Sequence, residues 1–221
     1  MAYKNPYRLS GRRQGEIIGQ VYKLIVCHSD FFVPRNRVYL KDVAKVENTI
    51  YWLESPKTSE ITALTLVEPK YALELNDIKL IVIGHTLSKV RNQMHNILDH
   101  LFSDYVDSNI AFFLRESFGV ALMLEEKYNF VKINSDEINH LWPEVALVET
   151  DYFNLPSGER ISQGMARKQH FIYLRLTELD KQKLTNSHSS LIEFITTRQQ
   201  EVVKKEQETL MAVPVYASNI N

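Results

Sequence analysis

The chain has a single cysteine, Cys27, in 221 residues. No intramolecular disulfide and no cysteine-rich zinc site can be built from it, which fits a reducing compartment. It lacks any apolar run near the length of a membrane span, so no membrane partner is expected. Its opening residues, MAYKNPYRLSGRRQGE, contain no apolar core of a secretory signal, and the expected location is cytoplasmic. It lacks a charge excess: 26 Lys and Arg against 27 Asp and Glu give −1 at pH 7. Bulk attraction to nucleic acid or to an acidic surface is therefore not expected. Neither GxxxxGK[ST] nor GxGxxG occurs, which speaks against a nucleotide-binding domain. His85 and His95 have no cysteine or carboxylate cluster around them in sequence, so no metal is expected.

What the chain does have is apolar periodicity. At 44% hydrophobic content it can bury the core of one full domain. Residues 78–83 and 110–114 are short, nearly unbroken apolar runs, the pattern of strands buried on both faces. Between them, Val90, Met94, Ile97, Leu98, Leu101 and Phe102 fall on one helical stripe, and two strands joined by a helix predict a parallel crossover. Residues 120–127 predict a second helix and 128–133 another strand. Upstream, 7–10 reads as a short strand, 16–27 and 38–47 as helices, and 49–54 and 60–67 as strands joined by a turn at 55–59. With 78–83 they form an antiparallel meander. Downstream, 151–167 reads as loop and 170–176 as a late strand. A helix near 187–210 carries Leu191, Phe194, Ile195 and Val202 on its apolar side, and 211–221 reads as a tail. That helix is expected to cover its own domain, with a homodimer through the same stripe weighed beside it.

The segment from Gly84 to Gln93 reads as a polar loop between a buried strand and a helix. It carries two cations, Lys89 and Arg91. Backbone N–H groups at such a helix start can face an anion.

The order of elements, over about residues 7 to 177, resembles the GNAT superfamily of acyl-CoA-dependent N-acyltransferases. The resemblance implies an α/β fold of the α+β kind: a mixed, mostly antiparallel sheet flanked by helices. The GNAT-like domain would span 1–180, with a C-terminal helix at 181–210 beyond it. The run Lys89-Val90-Arg91-Asn92-Gln93-Met94 stands where the family has Arg/Gln-x-x-Gly-x-Gly/Ala, whose amides hold the CoA pyrophosphate. Lys89 keeps donors there, Asn92 tolerates positive φ, and Met94 replaces a small residue, where its side chain would crowd the phosphates. The run from Ala121 to Phe130 stands where members carry Ala-x-x-x-Tyr-x-x-x-Gly-Phe. Ala121 and Phe130 match, and Glu125 takes the place of the tyrosine that protonates the leaving thiolate.

By this resemblance acetyl-CoA is the cosubstrate, and the acceptor is a small-molecule or protein amine. The backbone of Leu80, Ile81, Val82 and Ile83 would supply the oxyanion donor. Asp77 and Glu74 are candidate bases. Glu125 is a candidate acid, and so is Tyr128, which shares a face with Glu125 if the helix continues. The alternative is a GNAT-like module that has lost catalysis and serves in binding or assembly, a reading favoured by Met94 and Glu125.

Overall fold

A computed structural model describes residues 3–4, 6–28, 33–75, 78–90, 93–115, 118–153 and 169–212. Its centre is a mixed sheet. The strands are β1 (Tyr3–Lys4), β2 (Ile50–Glu54), β3 (Ile61–Val67), β4 (Leu73–Leu75), β5 (Ile78–Ser88), β6 (Asn109–Arg115), β7 (Val131–Asn134) and β8 (His170–Arg175). They lie in the order β1-β2-β3-β5-β6-β8-β7, with β4 paired to the start of β5. All neighbours are antiparallel except β5 and β6. That parallel pair is the expected crossover, made through α3 (Met94–Asp104).

Strand alternation decides which helices cover which face. On β5, Ile81 and Ile83 point to α3 and α4 (Phe118–Glu126), where they join Ile97, Leu98, Leu101 and Phe112 in one core cluster. Leu80 and Val82 point the other way, into a cluster with α5 (Ser135–Leu141), α6 (Pro143–Phe153) and α8 (Ser189–Ala212). On β3, Leu64 and Leu66 meet α1 (Gly11–Cys27) and α2 (Arg37–Val43) on that second side. The remaining helix, α7 (Glu178–Leu184), leads into α8, whose Leu191 and Ile195 lie in the same core as the sheet. Phe194 packs against that core from a half-buried position.

Helix starts follow local chemistry. The Ser10 side chain caps α1, Asn36 caps α2, Thr177 caps α7, and Asn134 with Glu137 forms a capping box at α5.

Several boundaries depart from the periodicity. The opening strand lies at Tyr3–Lys4, and Pro6–Arg8 is a single turn of 3-10 helix. The segment 135–153 folds as two helices, α5 and α6. Helix α4 stops at Glu126 because Asn129 is in the left-handed region, φ 58°, and the Phe130 N–H turns back to the Leu124 carbonyl at 2.9 Å. Strand β5 runs five residues past Ile83, to Ser88. The polar residues His85, Thr86 and Ser88 end the apolar run, yet Thr86 and Ser88 stay paired with β3.

Leu98 is fully buried between α3 and the sheet. Leu98→Ala is expected to cost about 2–5 kcal/mol, through lost transfer energy and the cavity left behind. Urea unfolding of the two proteins measures it.

Candidate active site at the parting of β5 and β6

Strands β5 and β6 run together for four registered pairs, Leu80 with Asn109 through Ile83 with Phe112. Beyond them the strands separate. Strand β6 stays with β8 as far as Arg115 opposite His170. Strand β5 stays with β3, where Ala63, Leu64 and Thr65 lie opposite Ser88, Leu87 and Thr86. From Thr65 to Val67 the chain of β3 advances two residues, while β5 goes from Thr86 to Ile83, three. The extra residue is a bulge in β5, a device that re-aims side chains and ends pairing.

The bulge has two effects. First, among the described residues it leaves part of the β5 backbone without a partner strand. Lys89 N–H bonds the Thr62 carbonyl at 2.8 Å. By alternation Leu87 also faces β3, and Thr86 and Ser88 turn their backbone groups toward the side that β6 has left. Second, the bulge puts two successive residues on one face. The His85 ring and the Cβ position of Gly84 both meet Glu68: a Cβ built on Gly84 would lie 2.6 Å from Glu68 Oε1 and 2.4 Å from the Tyr152 hydroxyl. Only glycine fits there.

Around that point lies a buried polar cluster drawn from four stretches of the chain. Glu68 follows β3 and is 0% exposed, His85 is 1% exposed, and Arg35, from the α1–α2 connection, is 4% exposed. Tyr39 of α2 donates its hydroxyl hydrogen to Glu68 Oε2. His85 Nδ1 lies 3.1 Å from Glu68 Oε1, and Nε2 lies 2.6 Å from the Val33 carbonyl. The Arg35 guanidinium stacks on the rings of Tyr39 and Tyr152, at 5.2 and 5.0 Å, and reaches the Tyr152 carbonyl at 3.5 Å. Burial pushes the Glu68 carboxyl up, but the hydrogen bond and charge of His85, then Arg35 and Tyr39, hold it below the usual carboxylate range. Burial, followed by the charge and hydrogen bond of Glu68, drives the Tyr39 hydroxyl well above the ordinary tyrosine range.

The residues expected from the sequence fall in several places. Leu80, Ile81, Val82 and Ile83 are buried in the part of β5 that is paired with β6, so the unpaired edge begins one residue later, at Gly84. Glu74 is exposed opposite Lys79 at the β4–β5 hairpin, about 16 Å along the strand from Gly84. Asp77, Arg91 and Asn92 lie outside the described residues. Lys89 and Val90 are exposed. Gln93 precedes α3 and accepts a hydrogen bond from the Thr62 hydroxyl at 2.8 Å. Among the described residues no side-chain hydrogen bond caps α3. Met94 is 6% exposed. Its side chain turns into the core with Ile97 and Leu98 rather than over the helix start.

Glu125 and Tyr128 do not share a face, because α4 ends between them. Glu125 is half-buried in a groove with Lys132, Arg198 and Lys205; burial raises its carboxyl, and Lys132 works against that. Tyr128 gives its hydroxyl hydrogen to Asp99 of α3 at 2.7 Å. Burial and that bond push it up to about 12. Among the described residues no group of three or more His, Cys, Asp or Glu side chains is placed to hold a metal, and no helix is long and apolar enough to cross a membrane.

The cluster residues Glu68, His85, Arg35, Tyr39 and Tyr152 were not among those singled out by sequence for catalysis or cofactor binding. His85 reads as a loop histidine on spacing alone. The signal available was a glycine next to a histidine at the end of an apolar strand run.

The topology is GNAT-like: a strand, two helices, a meander, a parallel pair crossed through α3, and a final antiparallel strand beside β6. No family model matches the sequence, and no curated protein does. Among solved structures, Naa50 of Arabidopsis thaliana with the bisubstrate analogue CoA-Ac-MVNAL is similar at a TM-score of 0.48 and 7% identity, over 80% of this chain and 98% of that one. The NatC complex bound to Gag peptide and CoA gives 0.46 and 15%, over 80% and 98%. A histone acetyltransferase HPA2 and related acetyltransferase from Corynebacterium glutamicum gives 0.44 and 10%, over 78% and 94%. Each is a likeness of shape at low identity.

Two outcomes follow from the geometry. Gly84→Ala is expected to destabilise by about 1–3 kcal/mol, since Tyr152 and Glu68 must both give way; thermal and urea unfolding measure it. Glu68 is held ionised below its ordinary range, so its contribution to stability is complete above the unfolded value of about 4.3 and is lost as pH falls through the folded value. Urea midpoints from pH 7 down to pH 3 should therefore fall less steeply for Glu68→Gln than for the wild type below about pH 4.3. Parallel curves would show that Glu68 is not the group responsible.

Proposed function

We propose that the chain is an acyl-CoA-dependent N-acyltransferase that moves an acetyl group from acetyl-CoA to an amine. The observation that carries this reading is that, among the described residues, the edge of β5 from Gly84 to Ser88 is unpaired and opens beside a start of α3 that no side chain caps. An amide-bearing thioester arm can add to such an edge as a strand does, through the backbone of Thr86 and Ser88. The residues at the helix start fit a pyrophosphate. Among the described residues Lys89 is exposed in a groove with Lys23, Cys27 and His28 of the α1 side, while the first-turn amides of α3 have no side-chain cap and the Met94 side chain is turned away. The helix dipole favours negative charge at that place, and Arg91 and Asn92 belong to the same stretch of sequence.

Acetyl-CoA supplies an activated carbonyl. The amine nitrogen forms the new C–N bond, the C–S bond breaks, and the amine gives up a proton. The carboxylate placed at the parting is Glu68, and it takes that proton, relayed by water because its own oxygens are buried. His85 and Tyr39 orient it. The negative charge that develops on the carbonyl oxygen needs donors, and the open amides of β5 supply them.

Calorimetric titration with acetyl-CoA and with CoA tests the reading. Wild type is expected to bind both. Lys89→Ala combined with Arg91→Ala should weaken binding by about two orders of magnitude or more, at about 1.5–3 kcal/mol for each charge-assisted bond. Absence of binding at millimolar concentration by the wild type would remove the acyltransferase reading and leave a GNAT-like module without catalysis.

A further inference from the structure

On the α1 side of the sheet a groove of about 300 Å³ opens at the end of the unpaired β5 edge. Lys89, the residue after Ser88, lines it together with Lys23 of α1 and with Glu60, which precedes β3. Its walls are held in place. The Gln20 side chain accepts from the Ile61 N–H at 2.7 Å and donates to the Ser59 carbonyl at 3.3 Å, which pins α1 to the start of β3. His28 is fixed at the end of α1: its Nδ1 lies 2.8 Å from the Leu24 carbonyl, which can only accept, so Nδ1 carries the hydrogen. The floor is apolar, made by the buried side chains of Leu24 and Ile61.

Charge, place and reach together name an occupant. Among the described residues neither Lys23 nor Lys89 forms an ion pair, and against these two lysines the groove sets one carboxylate, Glu60. It therefore attracts an anionic group and repels a polycationic amine. The groove lies on the side of the sheet that carries α1, α2 and the Glu68–Tyr39 pair, whereas α3, at whose start the pyrophosphate is assigned, packs on the other side. Its occupant is thus part of the acceptor rather than of the cosubstrate. Gly84, beside Glu68, and Lys89 are five residues apart along the chain of β5, or about 16 Å at the rise of a strand. A metabolite-sized amine does not span that length. An extended polypeptide covers it with about five residues.

We infer that the acceptor is a polypeptide, and that an acidic side chain about five residues from the acetylated amine docks in the groove at Lys23 and Lys89. That the peptide is an acceptor rests on the acyltransferase reading. The affinity for an acidic peptide stands on the groove itself. Lys89 borders both the groove and the stretch assigned to the pyrophosphate, so Lys23, on α1, is the residue that separates the two.

The test uses three sets of short peptides with a free N-terminal amine and a dye on the C-terminal amide. In each set the first two residues are randomised, and the rest is Ala-Glu-Glu-Glu, Ala-Gln-Gln-Gln or Ala-Lys-Lys-Lys. Fluorescence anisotropy reads their binding to the full chain at constant ionic strength, with and without CoA. The acidic set is expected to bind about tenfold or more tighter than the glutamine set, and the lysine set most weakly. Lys23→Glu, at an exposed position of α1, should reverse the order of the acidic and lysine sets, which a mere loss of structure does not do. Lys23→Gln should bring the acidic and glutamine sets together. With acetyl-CoA as donor, acetyl transfer followed by mass spectrometry should show a KM lower by a similar factor for the acidic set. Equal affinity for the three sets, no binding by any of them with CoA present or absent, or an unchanged order in both Lys23 variants would overturn the inference. So would a loss of acetyl-CoA affinity in Lys23→Gln with the peptide order kept, because the groove would then belong to the cosubstrate. Acidic peptides bound through Lys23 by a protein that binds neither acetyl-CoA nor CoA would instead sink the acyltransferase reading and leave the groove standing.

Discussion

The structure depends on one extra residue in β5. A regular strand paired on both edges would continue beside β6 to its end. With the bulge opposite Thr65–Val67, the hydrogen-bonding phase of β5 is reset, and its far half follows β3 while β6 follows β8. Backbone polar groups are rarely left without partners. An edge that opens in the middle of a sheet is therefore a place built for something other than sheet.

The same extra residue fills one side of the opening. It turns His85 to the face already occupied by Gly84, and the space that glycine leaves is taken by Glu68 and Tyr152. The α1–α2 connection and the end of α6 then meet over the spot through Arg35 and Tyr152. Burying this many polar groups is unfavourable unless each finds a partner. Glu68, Tyr39 and His85 satisfy one another, and the incomplete member is Arg35. The opposite face, where α3 and α4 cover Ile81, Ile83 and Phe112, is apolar. The parting thus has a hydrocarbon side that fixes the strands and a polar side able to do chemistry.

Periodicity located the elements whose patterns are local. The stripe from Met94 to Phe102 and the runs 78–83 and 110–114 lie where a period of 3.6 or a continuous apolar run places them. It failed where polarity and structure part company. Thr86 and Ser88 are polar strand residues kept in the ladder by β3, with His85 in the bulge before them, and a reading that equates polar with loop ends the strand at Ile83. Val90 continues the stripe by spacing but lies before the helix and is exposed. Tyr128 continues the face of Glu125 only if the helix goes on, and Asn129 at positive φ shows the chain turning away.

The sequence by itself determined the central strands and helices from 49 to 126 and the parallel crossover, because each is written in residues close together along the chain. Only the tertiary structure decided that Arg35, Tyr39, Glu68, His85 and Tyr152 form one cluster. They come from four separate segments, and apart from Arg35 and Tyr39 no spacing links them. What brings them together is the fold of the sheet at the bulge.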